Sequence, residues 1–539
     1  MISPRLISGL TAWRALLVAF VLAGCAAGCA VAPADKVALH QLYTPRFAPP
    51  PPPEAATVTL RKLYDRLRAP VAPSDRSRLL PDDAGVLWLS LLVVLLVAFD
   101  FRNLRNPRNV DLVLLQALGW CFFDILSHLD RLSDATTRNV MDWTFWAIVV
   151  LTIALLVRAV RRVFRPVTTR WQPETPQRAL VAAAIVFVLV DVGVALYSPP
   201  DDAGYFINIA AQRLRERLRW PYGDPLLTAT PAAAYGPVLY AAHVPFQLVL
   251  APQPVNPVSL ARPPIESGDV YFEPPLAATK FCTVAFHLLG VIALFVAVRR
   301  MSGARTAWAL VLLYCSSAYV LGVGGDSYAV GGMTFASHIA PAALTLLAFA
   351  LLHRPAWSGV ALAAAIGALF YPLFMAPAWV GYYWGRRDQL KRFVLGFALA
   401  ALVIGGSVLA LSRPAQGRGL IGTILHDTIG HQESPEAYGS SPFGFWGQRG
   451  GIRGWLMTPI VPGQSMTRPV VLAFVLFAAA MFRVAQRRTP AEFALVVAAI
   501  AIGAQLWKIH ATATYVTWYY PFLLIGFLCG HGVRSDAHV

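Results

Sequence analysis

Asp201 and Asp202 are adjacent carboxylates that directly follow an apolar run ending near Tyr197. A carboxylate at that position sits at a membrane surface, where charge is tolerated and an aqueous hydroxyl can be met, so it can serve as a general base. The surrounding stretch, residues 198 to 252, reads Pro199-Pro200-Asp201-Asp202-Ala203-Gly204-Tyr205, then Pro221-Tyr222-Gly223-Asp224, then Tyr235-Gly236-Pro237. Between the first two motifs, Ile207, Ala211, Leu214 and Leu218 recur at helical spacing, flanked by Arg213, Arg215, Arg217 and Arg219. An apolar stripe with a basic flank predicts an interfacial helix lying beside phosphate head groups.

A second polar stretch, residues 412 to 468, carries His426-Asp427, His431-Gln432-Glu433-Ser434-Pro435-Glu436 and the run from Ser440 through Ser441, Phe443 and Trp446 to Arg449. Bases, amide donors and stacking aromatics together suit a carbohydrate or head-group site. No metal site is expected, because His426 and His431 are five apart in a Gly-containing loop and match no ligand spacing. The sequence holds no GxSxG elbow for a serine nucleophile. Asp191 and His287 are ionisable groups within apolar runs, where such groups are costly and often functional. Lys508 and His510, in a short turn near the C-terminus, are candidates to contact phosphate.

The elements that position these residues follow from composition. The chain has 539 residues, 57% hydrophobic and 14% charged, which predicts an integral membrane protein. Its net charge of +17 falls mostly in short loops between apolar runs, so it reads as topology and not as a nucleic-acid footprint. Basic turns at residues 102 to 108, 158 to 165, 299 to 300, 386 to 392 and 483 to 488 are assigned to the cytoplasmic side. With residues 358 to 384, broken at Tyr371-Pro372, taken as a half-span hairpin, about twelve spans give a consistent topology. Both long polar stretches and the Lys508–His510 turn then face outward and can converge.

The expected organisation is an anchor or signal span over residues 1–31, a Pro-rich outer linker over 32–84, a three-span module over 85–170, and a membrane body over 171–539. Cys121, Cys282, Cys315 and Cys529 lie in apolar runs as small hydrophobes, and no CxxC pair occurs. Leu22-Ala23-Gly24-Cys25 resembles a lipobox, making Cys25 a candidate lipidation site.

The aspartates of the first stretch, the Pro-Tyr-Gly and Tyr-Gly-Pro motifs, the broken hairpin, Ser441-Pro442-Phe443 and Trp518-Tyr519-Tyr520-Pro521 together resemble the GT-C superfamily of membrane glycosyltransferases. Within it, the chain is similar to the bacterial polyprenyl-phosphate-mannose-dependent branch, with Tyr235-Gly236-Pro237 where that branch has Tyr-Pro-Pro. The resemblance covers residues 178 to the C-terminus. It implies an all-α, polytopic helical bundle in the bacterial inner membrane, with its active site facing outward. It implies transfer of a sugar from a polyprenyl-phosphate donor to a hydroxyl of a glycan or lipid acceptor, with inversion.

On that reading Asp202, with Asp201 as its rival, is the base. Arg213, Arg217, Lys508 and His510 neutralise the donor phosphate. Tyr205, Tyr222, Asp224, Tyr235, His431, Gln432, Ser441 and Trp446 contact substrate. No cofactor is required, though a divalent cation is compatible with the chemistry. Membrane lipid is a partner and nucleic acid is not. The rival classes are a multi-span transporter, which predicts inverted repeats and midplane charges, and a non-catalytic envelope protein, which tolerates loss of both aspartates.

Overall fold

Apolar runs with few polar interruptions can satisfy their backbone only internally, and the chain does so as helices. The computed structural model describes residues 83–128, 135–166, 171–197, 202–224, 227, 233–250, 253–254, 272–273, 276–322, 332–415, 417–430, 467–507 and 513–529. The anchor over 1–31, most of the linker, Cys25, Asp201, His431, Gln432, Ser441, Trp446, Lys508 and His510 lie outside these residues. Asp202 and Tyr205 are described as backbone only.

Seventeen α-helices make up the described residues, with one antiparallel pair of two-residue strands joining Gln253–Pro254 to Phe272–Glu273. The first helices are α1 (Asp83–Val97), α2 (Pro107–His128), α3 (Ala135–Phe164), α4 (Gln177–Tyr197), α5 (Asp202–Arg217), α6 (Pro237–Val249) and α7 (Leu276–Ser302). They continue with α8 (Ala304–Cys315), α9 (Ala318–Leu321), α10 (Ala336–Ala350), α11 (Pro355–Ala368), α12 (Ala376–Tyr383) and α13 (Arg387–Leu411). Last come α14 (Leu420–Leu425), α15 (Thr467–Ala485), α16 (Pro490–Trp507) and α17 (Tyr520–Leu528).

Three of these helices, over Gln177–Leu196, Ala277–Ser302 and Arg387–Leu411, are long and apolar enough to cross a membrane, against the twelve expected spans. Several apolar runs break into shorter helices, and the expected span over residues 1–31 lies outside the described residues. Ser316 and Ser317 end α8 before α9 begins. The expected hairpin break is present, but the chain turns extended at Leu369, just ahead of Tyr371-Pro372, before a 3-10 turn over Tyr371–Met375. Along α13, Leu395, Leu399, Leu402 and Val403 form an exposed apolar stripe, compatible with a hydrocarbon surround.

The largest buried cluster runs from Val86 in α1 to Cys529 beyond α17, so the first three helices share a core with the later ones. Within it α3 packs on α16, and α4 and α7 both pack on α8. Arg158 and Arg162 of α3, expected in a basic loop, lie instead on the helix and both reach the fully buried carboxylate of Asp111 in α2. Removing the one anion strands two cations, so Asp111→Ala is expected to cost about 3 kcal/mol. Detergent-solubilised protein should then melt at lower temperature, with part of the loss recovered by adding Arg162→Met.

The basic turn after α1 is a hydrogen-bonded knot. The Asp100 carboxylate accepts from Asn106 and from the amides of Arg102 and Asn103, while Asn109 closes the loop on Asp100. Partial burial raises the pKa of Asp100, but these bonds and the Arg108 guanidinium outweigh it and hold the carboxyl below its ordinary value.

A second, smaller cluster lies under the first polar stretch and includes Phe206, Ile207, Ala210, Ala211, Trp220, Tyr222, Leu239 and Tyr240. The apolar stripe of α5 faces protein, since Ile207 and Ala211 are fully buried. Leu218 does not extend the stripe. It follows the helix at a φ of 50° and is exposed. The neighbour that covers α5 is α6, which the sequence reading did not expect, its run being short and interrupted by His243, Pro245 and Gln247.

Candidate active site at the aspartate turn

Asp201 lies in sequence at the junction between α4 and α5, and Asp202 is the first residue of α5. Both flanks of this junction are held by adjacent residues in the first turns of α7. Thr279 Oγ1 donates to the Gly204 carbonyl at 3.0 Å, and Lys280 Nζ donates to the Leu196 carbonyl at 2.8 Å. Lys280 is 4% exposed. Its ammonium faces the C-terminal end of α4, where carbonyls carry partial negative charge and a cation is stabilised. A lysine opening an apolar helix of this length was the available signal, and the sequence reading passed over it.

The far end of α5 holds a different set of residues. Helix geometry puts Arg213 about 16 Å and Arg217 about 22 Å along the axis from Asp202. With Asp202 as the base, that separation favours a cation nearer the start of α5 for the departing phosphate. Arg213 is buried and paired with Asp224 at 3.3 Å, while Arg217 is exposed at the helix end.

Beyond Arg217 the chain is pinned in several places. Trp220 N donates to the Leu411 carbonyl at 3.1 Å. Tyr222 is buried and its hydroxyl donates to the Tyr235 carbonyl at 2.8 Å. Burial pushes its pKa up, so the hydroxyl stays protonated and acts as a donor. Gly223 takes a φ of +74° with its α-carbon against the Arg413 carbonyl, leaving no room for a side chain. Its amide donates to Asp427 Oδ2 at 2.8 Å, and Asp427 Oδ1 faces His426 Nδ1 at 3.2 Å. The two polar stretches thus meet through Gly223 and Asp427, which lie 204 positions apart. Asp427 entered the sequence reading only as part of its loop.

Beside this junction lies an apolar cleft of about 400 Å³. Tyr222 and Tyr235 form one wall, Leu369 and Phe370 of the hairpin break a second, and Val408, Ile421 and Leu425 of α13 and α14 a third. Gly236 lets the start of α6 close on α11, since a Cβ there would lie 2.1 Å from the Gly367 carbonyl. Such a cleft suits a hydrocarbon chain better than a sugar.

On the other side of the hairpin break, Tyr371 stacks on Trp518 with centroids 3.8 Å apart and planes 8° from parallel. His338 and Tyr515 complete the cluster, at 5.4 Å and 4.5 Å from the Trp518 ring. The short turn Gly332–Thr334 leads into this cluster and packs on α4, which enters the aspartate junction, and on α7, which bonds to both sides of it. Among the described residues, the group whose donor atoms could hold a metal ion is Asp191, His287 and Cys315, buried between α4, α7 and α8.

Compared with models of known protein families, with curated proteins and with solved structures, the chain matches none. Its function therefore rests on the residues themselves.

Proposed function

We propose that this chain transfers a sugar from a polyprenyl-phosphate donor to an acceptor hydroxyl at the outer face of the bacterial inner membrane. The observation that carries the reading is the clamped turn, where a carboxylate-bearing junction is held on both flanks by α7, on one side by a buried lysine. The reaction needs a fixed base and a fixed cation close together, and this arrangement supports both.

In the transfer, the Asp202 carboxylate takes the proton of the acceptor hydroxyl as its oxygen attacks the anomeric carbon. The bond from that carbon to the phosphate oxygen breaks, and the phosphate leaves with the electron pair. Attack opposite the leaving group inverts the anomeric centre. The Lys280 ammonium lowers the cost of charge building on the departing phosphate. The apolar cleft at the far end of α5 accommodates later units of the prenyl tail. On this reading α4, α7 and α13 cross the bilayer, and the exposed stripe of α13 faces lipid.

The test is sugar transfer in membranes carrying the full chain, supplied with radiolabelled polyprenyl-phosphate sugars and compared with empty membranes. Labelled product above the empty control is the expected result. Transfer that never exceeds the control across several donors would overturn the assignment and leave the carrier reading in its place.

A further inference from the structure

We propose that Asp191, His287 and Cys315 form a binding site for a divalent transition-metal ion of the zinc type. The three residues come from three helices, α4, α7 and α8, and each is at most 1% exposed. Their donor atoms all lie within 4.8 Å of one another, and His287 Nε2 stands 3.1 Å from Asp191 Oδ2. Nitrogen and oxygen ligands on a tetrahedral zinc ion are spaced about 3.3 Å apart, so this pair already has the separation of two ligands on one ion.

The competing account is an Asp–His ion pair that needs no metal. A buried pair offsets its desolvation only when the remaining donors and acceptors are also hydrogen-bonded. Here the 3.1 Å contact is not aligned as a hydrogen bond, and both Asp191 oxygens and both His287 ring nitrogens lack an aligned hydrogen-bond partner among the described residues. A divalent ion resolves this directly. The Asp191 carboxylate and the Cys315 thiolate bring two negative charges and the imidazole none, so the loaded site is neutral, the state that a low-dielectric interior favours. Loading releases the thiol proton of Cys315.

Carboxylate, imidazole and thiolate together suit zinc and its neighbours, and would hold calcium or magnesium poorly. Tyr314 stacks on the His287 ring at 6.0 Å and 16°, which fixes the ring plane. His287 lies two helical turns along α7 from Lys280, about 10 Å. Cys315 is the last residue of α8, and Asp191 stands six residues from the end of α4. A bound ion would therefore join these helices beneath the aspartate turn.

Three protein ligands leave one position open, and the chain is expected to bind about one ion. The experiment uses the full chain purified in detergent, loaded with zinc or with cobalt(II) and freed of excess by a weak chelator. Elemental analysis should give close to one equivalent of zinc, and the cobalt form should show a thiolate-to-metal band in the near ultraviolet. Cys315→Ser should lose that band while eluting as wild type in gel filtration, and His287→Gln should lose most of the zinc. A monodisperse wild-type chain that retains neither ion overturns the proposal, as does a Cys315→Ser variant that keeps the band. Neither readout depends on sugar transfer, so this proposal and the glycosyltransferase reading can fail separately.

Discussion

Asp202→Asn is expected to lower the initial rate of sugar transfer about 10³-fold, the range lost when a positioned general base is removed. The amide keeps the size and polarity of the carboxylate and starts a helix equally well, so α5 should form and the protein should insert at normal levels. What it cannot do is accept the acceptor proton. Asp202 opens α5, and two residues on, the Gly204 carbonyl is bonded to Thr279. Asp201, the rival base, comes one residue earlier in the chain, and with Asp202 as the base Asp201→Asn is expected to cost less than about tenfold. The measurement is labelled product per unit of inserted protein for each variant against wild type. A large loss in Asp201→Asn with Asp202→Asn unchanged moves the base to Asp201. Two variants at wild-type rate would end the catalytic role of the turn.

What was legible in the sequence was what one helix or one short motif encodes. The helices over residues 110 to 126 and 179 to 197 follow from hydropathy, and the weakness at Tyr371-Pro372 follows from the stereochemistry of proline, although the chain breaks at Leu369. What was not legible depends on residues far apart in the chain. Arg213 read as a free cation on a basic flank, whereas Asp224, eleven positions on, claims it. Asp427 read as one polar residue in a polar loop, and its partner is the amide of Gly223. Cys315 read as a small hydrophobe, and only the packing of α8 between α4 and α7 brings its thiol to Asp191 and His287.

Grouping Arg213 and Arg217 with the aspartates follows from their closeness in sequence, which a helix does not preserve in space. A cation-rich helix next to a carboxylate invites the inference that all the charges share a site. A helix rises 1.5 Å per residue, so charges eleven to fifteen positions away stand one site-width or more from its first residue. The cation that belongs to the turn comes from α7, where Lys280 lies 78 positions beyond Asp202 and is buried at an otherwise apolar helix start.

Lys280→Met is accordingly expected to lower kcat about 10²-fold, the loss typical when one preorganised positive group at a developing anion is removed. Methionine retains the stem and its packing, so the main change is the absent charge. A purely structural lysine would behave differently. Loss of its bond to the Leu196 carbonyl would loosen the end of α4, lower the melting temperature and leave kcat of the folded fraction unchanged. Three readouts separate the cases: thermal stability in detergent, kcat against KM, and the dependence of rate on the leaving group. If the ammonium stabilises the departing phosphate, a donor whose leaving group is less basic should suffer less from Lys280→Met, because less charge needs stabilising in its transition state. Lys280→Arg, which keeps the charge with a different donor geometry, should recover part of the rate. Equal losses for good and poor leaving groups, with lowered stability and no rescue by arginine, would reduce Lys280 to a brace for the turn.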